Sequence, residues 1–318
     1  MNPIRVAVIG AGAFGRNHVR VLHESPRAEL AGIVDIARDR AETAAAQFGC
    51  PVFASHSDLP GNIDAAIVAA PTAAHAGIGC DLMAAGVDVL VEKPIAPDNE
   101  SAQRLIETAE RHGRILMVGH LERFNPAVVA LKRVTTLPLF FEIHRMSLFS
   151  PRSLDIDVVL DLMIHDLDIV LDLVGQEPEE IRAAGISVLS EKVDIANVRL
   201  AFSTGCIANL TASRVSTERV RKLRLFQPSQ YISLDYSRQD AAAFAVKPEQ
   251  KIDFHMLPVE KNEPLKLEID HFLDCVETRS TPRVSGRDGA RALSAALAIL
   301  AKIEEHAQIV ARQLKQLA

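Results

Sequence analysis

A chain in which Gly10-Ala11-Gly12-Ala13-Phe14-Gly15 follows the run Ile4-Arg5-Val6-Ala7-Val8-Ile9 and opens a helical stretch through Val21-Leu22 has few folds open to it. Gly-x-Gly-x-x-Gly alone is a weak signal, but here it stands between a strand and a helix, the context that gives each glycine a duty. Gly10 permits a tight turn, Gly12 lets the backbone approach a pyrophosphate, and Gly15 lets helix pack on strand. The helix N-terminus then offers N–H groups to the anion. The alternation continues: strands are predicted over 30–34, 63–70, 87–92 and 115–119, and helices over 41–48, 73–85 and 99–112. Strands separated by helices predict an α/β, Rossmann-type, doubly wound parallel sheet over residues 1–120.

Each predicted strand ends in something polar or tight, and open α/β sheets bind their ligands at that edge. The second strand ends in Asp35, placed to accept hydrogen bonds from an adenosine ribose and to repel a 2′-phosphate, which favours NAD over NADP. Arg38 nearby leaves NADP open. The next ends run Ala70-Pro71-Thr72 with His75 beyond, then Glu92-Lys93-Pro94, then Gly119-His120. Pro94 cannot donate to a ladder, so it ends its strand and leaves Lys93 on the rim. The expected cofactor contacts are therefore Gly10, Gly12, Ala13, Phe14, Gly15, Asp35, Arg38, Ala70, Pro71, Thr72, His75, Glu92, Lys93 and His120. A glycine-rich turn without a nucleotide, a methyltransferase and a flavoprotein share parts of this pattern.

The 318 residues leave room for a second domain, and an apolar content of 48% supplies its core. A formal charge of −6 and the lack of a basic tail give no electrostatic reason to expect nucleic acid. The run Arg219-Val220-Arg221-Lys222-Leu223-Arg224 alternates basic with apolar residues, as the solvated face of a strand does. Four scattered cysteines form no C-x-x-C pair, so neither zinc nor disulfides are expected, and no metal site is expected elsewhere. No apolar run approaches the ~18 residues of a membrane span. The chain enters its first strand almost at once, so a protein without a signal peptide, soluble and cytoplasmic, is expected.

After His120 the pattern changes. A connector and a helix to about residue 134 lead into predicted strands over 139–146, 181–189, 196–202, 206–215, 222–226 and 231–236, joined by short turns. This predicts an α+β domain over 121–318 on a mostly antiparallel open sheet. Two closing helices, over 264–278 and 287–306, are free to pack back on the first domain.

One predicted helix, over 157–174, interrupts the strands. Nearly every face is apolar, yet Asp157, Asp161, His165, Asp168 and Asp172 recur at spacings of 4, 4, 3 and 4. Those spacings align them in a stripe. A buried helix needs a use or a water-filled cleft for such a stripe. An ordinary polar face and a shared metal ion are the other readings, and the metal is disfavoured because H-E-x-x-H is missing.

Together, Gly10-x-Gly12-x-x-Gly15, Asp35, Glu92-Lys93-Pro94 and Asp161-x-x-x-His165-x-x-Asp168 resemble the Gfo/Idh/MocA family of oxidoreductases. The resemblance implies that the first half binds NAD(P) and that the second half covers a sugar and joins subunits into a dimer or tetramer through its sheet. It also implies that Lys93, Asp161 and His165 are catalytic. In that scheme a sugar hydroxyl carbon gives hydride to the nicotinamide. His165 takes the hydroxyl proton, since its unperturbed pKa lies near neutrality. Asp161 orients the ring, and Lys93 holds the oxygen; in some members the lysine is assigned as the base. Val118-Gly119-His120-Leu121-Glu122-Arg123-Phe124-Asn125-Pro126 and Ser150-Pro151-Arg152-Ser153-Leu154-Asp155 resemble the subgroup that oxidises the 3-hydroxyl of UDP-N-acetylglucosamine, including for lipid A assembly. This adds Arg123, Asn125 and Arg152 to Lys93, Asp161 and His165 as expected substrate contacts, with Arg152 a candidate for the diphosphate. Other sugar or inositol dehydrogenases, a UDP-N-acetylglucosaminuronate dehydrogenase and a non-catalytic NAD-dependent sensor are the alternatives.

Overall fold

The computed structural model describes residues 3–149, 156–246 and 251–317. It divides into two units: Met1–Phe124 with Glu263–Ala290, and Asn125–Asn262 with Arg291–Ala318.

In the first unit the chain runs β1 (Ile4–Ile9), α1 (Ala13–Glu24), β2 (Ala28–Val34), α2 (Arg38–Phe48), β3 (Val52–Phe53), β4 (Ala65–Val68), α3 (Thr72–Ala84), β5 (Asp88–Glu92), α4 (Asn99–His112) and β6 (Leu116–Gly119). The strands pair in parallel in the order β3-β2-β1-β4-β5-β6. Chain direction across the sheet reverses between β1 and β4, the position where doubly wound folds open a ligand crevice. Val6, Ala7, Val8, Ile67, Val89 and Leu90 are fully buried, as central strands covered on both faces must be. The helices carry their own start and stop signals. Asp98 caps α4 through the Ser101 N–H at 2.7 Å, and Gly113 ends it in the left-handed conformation. Between them Ala102, Leu105, Ile106 and Ala109 form the buried stripe.

The second unit comprises α5 (Pro126–Val134), β7 (Phe140–Leu148), a π-helical turn (Val159–Met163) leading into α6 (Ile164–Val174), and seven further strands. These are β8 (Glu180–Ile186), β9 (Ile195–Ala201), β10 (Ile207–Ser216), β11 (Val220–Gln227), β12 (Gln230–Asp235), β13 (Asp240–Val246) and β14 (Ile252–Met256). The sheet order is β14-β13-β12-β11-β7-β10-β9-β8. Only β7 with β10 is parallel among the described pairs. Alternation sends Phe141, Ile143, Leu223, Leu225, Ile232 and Leu234 into the core that also holds Met163, Ile164, Leu167 and Val170. α7 (Pro264–Thr278) belongs to the first unit, and the last helix, α8 (Gly286–Leu317), supplies residues to both. No helix among the described residues is long and apolar enough to cross a membrane.

Candidate active site

The carboxyl edge of the parallel sheet gathers the rim residues. Gly10 has a φ of +100°, and its N–H donates to the Val34 carbonyl at 2.7 Å, tying the turn to β2. A Cβ on Gly10 would strike the Ala69 carbonyl, and one on Gly15 would strike the carbonyl oxygen of Gly10. The chain's own backbone therefore demands both. Gly12 differs: beyond its immediate chain neighbours, no atom of the described residues crowds the place its Cβ would take within 4 Å. The open space sits over the start of α1, which no described side chain caps, and Ala13 and the exposed Phe14 form its first turn. An unfilled cradle at an uncapped helix N-terminus fits a dinucleotide pyrophosphate.

Asp35 follows β2. Its Oδ2 accepts from the Ala11 N–H at 2.7 Å and its Oδ1 from the Ala37 N–H at 2.8 Å. Each oxygen retains a second lone pair for a ribose hydroxyl. Arg40 approaches Asp35 at 3.7 Å, whereas Arg38 pairs with Glu42 at 2.8 Å, one turn along α2.

Ala70, Pro71 and Thr72 join β4 to α3, with Pro71 at the N-cap. His75 is buried, its Nδ1 2.9 Å from the Pro94 carbonyl and its Nε2 2.8 Å from that of Ala70. The ring braces the loop after β4 against the loop after β5. Burial lowers its pKa, which outweighs the pull of the two carbonyls and of Glu92.

Glu92 closes β5 and half-buried Lys93 follows, joined to Pro94 by a cis peptide. Glu92 Oε1 lies 2.6 Å from His18 Nε2, and Oε2 accepts from the Lys93 backbone N–H at 3.2 Å. His120 follows β6 and is buried. Arg123, in the short turn Leu121–Phe124, is also buried, with its guanidinium 3.8 Å from Asp288.

In the second unit Asn125 caps α5: its Oδ1 accepts from the Ala127 N–H at 3.1 Å and its Nδ2 donates to the Tyr236 carbonyl at 3.1 Å. Arg152, with the whole of 150–155, lies outside the described residues. The predicted stripe is not one uniform helix face. Its first part is wound as the π turn, where i→i+5 bonding alters the phase that 3.6 residues per turn would give. Asp157 accepts from the Val193 N–H at 2.9 Å, and Asp172 pairs with Lys132 at 2.7 Å. Asp161 lies in the π turn, and His165 and Asp168 lie in α6. Asp161 and His165 are half-buried and Asp168 is buried. π turns recur at functional sites.

Several chemically important groups were absent from the sequence expectations. Arg145 on β7 and Asp166 on α6 form a buried bidentate pair. His18 sits against Glu92, and Glu268 is buried on α7. The available signal was a charged residue on an apolar period. Arg145 continues Phe141 and Ile143, and Glu268 lies among Leu265, Ile269 and Phe272.

Two family models match the chain. One, described as an oxidoreductase family with an NAD-binding Rossmann fold, covers residues 4–120, and the Gfo/Idh/MocA C-terminal domain covers 144–227. A UDP-N-acetylglucosamine 3-dehydrogenase of Acidithiobacillus ferrooxidans is 35% identical over 311 residues, spanning 96% of this chain and 99% of that protein. A crystal structure of an enzyme of that name from the same organism superposes with a TM-score of 0.91 at 35% identity, over 96% of this chain and 99% of that one. An inositol 2-dehydrogenase of Rhizobium meliloti is 25% identical over 96% of this chain and 98% of its own length. The first 120 residues are thus an NAD-binding Rossmann unit, and the chain as a whole belongs to the Gfo/Idh/MocA family of oxidoreductases.

Proposed function

We propose that this enzyme oxidises the 3-hydroxyl of UDP-N-acetylglucosamine to the 3-keto sugar nucleotide with NAD. The observation that carries the reading is the similarity, end to end, to the Acidithiobacillus ferrooxidans enzyme. NAD would lie along the glycine turn, with Gly12 giving its pyrophosphate room and Asp35 receiving a ribose hydroxyl. When bound, it supplies the hydride acceptor for the carbon being oxidised. Lys93, held at the end of β5, binds the hydroxyl oxygen and stabilises its developing negative charge. His165 removes the hydroxyl proton, and Asp161 steadies the ring and the imidazolium that results. One hydride and one proton leave the alcohol, which balances the ketone. The uridine diphosphate gives binding energy remote from the reacting carbon, and Arg123, Asn125 and Arg152 are the proposed contacts on that side.

The same reading includes a homo-oligomer formed through the eight-stranded sheet. On its outer face Phe140, Phe226, Tyr231, Phe244 and Phe254 stand opposite one another across five strands, with successive ring centroids 5.7, 4.8, 5.4 and 4.8 Å apart. Phe226, Phe244 and Phe254 are exposed, and an apolar surface of this kind favours burial against a second copy.

The test is NADH formation against a panel of UDP-sugars, free sugars and inositols, with borodeuteride trapping of the product. Label at C3 of UDP-N-acetylglucosamine is expected. Turnover confined to UDP-N-acetylglucosaminuronate or an inositol would replace this reading with its rival. The inositol reading has one specific support, the full-length similarity to an inositol 2-dehydrogenase.

A further inference from the structure

The scheme above makes no use of the buried groups behind Lys93. His18 on α1, Glu92 at the end of β5 and Glu268 on α7 are all buried and each bring one polar atom into a cluster whose members lie within 4.8 Å of one another. The Glu92 carboxylate is fixed on two sides, by His18 Nε2 at Oε1 and by the Lys93 N–H at Oε2. It is seated over β6 where Gly119 pairs with Glu92 in the ladder, and a Cβ at Gly119 would come 3.0 Å from the carboxylate carbon. The sheet thus leaves out a side chain where the carboxylate rests.

Glu268 completes the cluster. Neither of its oxygens has a hydrogen-bond partner among the described residues, and both are shut off from solvent. An ionised carboxylate there would be unsolvated and beside a second negative charge. Burial first, then Glu92, pushes its pKa well above the usual carboxylate range, which favours the protonated form. A protonated Glu268 would have one O–H to give, and the Glu92 carboxylate lies within the same 4.8 Å cluster as a group that can accept it. Burial acts to raise the pKa of Glu92 as well, but the hydrogen bond and charge of His18 and the charge of Lys93 outweigh it and hold that pKa below its ordinary value. α7 packs against α1, which carries Arg16, His18, Arg20, His23 and Glu24, and against the turn Leu121–Phe124, which carries Glu122 and Arg123, while Glu92 and Lys93 come from β5 and its loop. His18 Nδ1 also lacks a partner among the described residues. A metal-bound imidazole ordinarily has that nitrogen held by an acceptor, so a proton-sharing cluster fits better than a metal site.

We propose that Glu268 is a positioning residue for Lys93: with His18 it clamps the Glu92 carboxylate, which holds the Lys93 backbone and sets its ammonium group at the sheet edge. This rests on the role given to Lys93 above. Glu268→Gln keeps the neutral shape and a donor, whereas Glu268→Leu keeps the bulk and loses the donor. On whichever substrate the wild type oxidises, Glu268→Gln should stay within about threefold of the wild-type kcat. Glu268→Leu should lose about 10- to 100-fold in kcat, the scale of a small misplacement, with NADH affinity unchanged and Tm unchanged or raised. A folded Glu268→Leu protein with wild-type kcat would overturn the proposal. Infrared difference spectra of wild type against Glu268→Gln at pH 7 need no substrate. They should show the carbonyl band of a protonated carboxyl, and its absence overturns the proposal too. A rise in wild-type Tm with Zn²⁺ or Mn²⁺ that Glu268→Gln abolishes would assign the cluster to a metal instead. Lys93→Ala, assayed alongside, separates the two readings: if it stays active, the role of Lys93 fails. If it is inactive while Glu268→Leu is fully active, only the role of Glu268 fails.

Discussion

Arg145 and Asp166 meet through two hydrogen bonds, 2.7 and 2.8 Å long, with each side chain only 2% exposed. The Arg145 guanidinium also lies over the Tyr236 ring, 4.9 Å from its centroid. The pair ties β7 to α6 at the residue that follows His165. Removing one partner strands a buried charge, and Arg145→Ala or Asp166→Ala should cost about 3–5 kcal/mol. Replacing both, as Arg145→Met with Asp166→Leu, should recover most of that loss. Urea denaturation of the three variants checks this; equal losses in the single and double variants would contradict it.

Asp35 holds the Ala11 N–H in addition to its proposed contact with the ribose. Asp35→Ala should therefore weaken NAD(H) binding by roughly 10- to 100-fold, the scale of hydrogen bonds to a charged group. It should also narrow the preference over NADP(H). Fluorescence titration with both cofactors reads the two effects. A wild type that favours NADP(H) would remove the ribose assignment.

Lys93→Ala and His165→Ala should each lower kcat by ~10²–10⁴-fold while NADH binding and Tm hold. The informative comparison is specific activity of folded protein beside its melting curve. Loss of Tm with normal activity in the folded fraction would make both residues structural.

Acid stability should report on Asp194. Burial acts to raise its pKa, but the N–H groups of Leu189 and Val188, the Ser190 hydroxyl and Arg214 overcome it and hold that pKa well below the usual carboxylate range. A depressed folded-state pKa contributes stability above the unfolded value of 3.8, and that stability fades as pH falls through the folded one. Asp194→Asn should thus be less stable than wild type at pH 7, and the gap should shrink below about pH 4. Chemical denaturation at pH 7 and pH 3 measures it; a gap unchanged by pH would contradict the prediction.

Phe244→Glu and Phe254→Glu should each shift the proposed oligomer toward monomer, because a charge at the centre of an apolar contact is desolvated without a partner. Sedimentation velocity at several concentrations is the check, with circular dichroism to confirm folding. An oligomer that survives both changes would place the contact elsewhere.

Much of the fold was legible because its signals were local. The helix predicted over 99–112 is Asn99–His112, bounded by an Asp cap and a glycine stop, and that over 264–278 is Pro264–Thr278. The strand Asp240–Val246 was not legible: four of its seven residues are alanine, which carries little strand preference. Its partner Ile252–Met256 fell with it. The last helix runs past the predicted 306 to Leu317. At the candidate site, Gly10, Gly15 and Asp35 could be placed because their partners are backbone atoms of adjacent turns. Glu268 could not, because its neighbours His18 and Glu92 lie far away in sequence and only the tertiary fold assembles them.

The π turn at Val159–Met163 makes the angle between Asp161 and His165 a property of a single codon. A π turn houses one residue more than α-helical bonding requires. Deleting one of its residues after Asp161 could restore i→i+4 bonding while Ile164–Val174 stays seated in the core. Everything before the deletion would then swing by about 100° around the helix axis, the rotation of one residue. The orientation of the carboxylate beside the proposed base could thus be reset in one mutational step, without repacking the helix that carries the base.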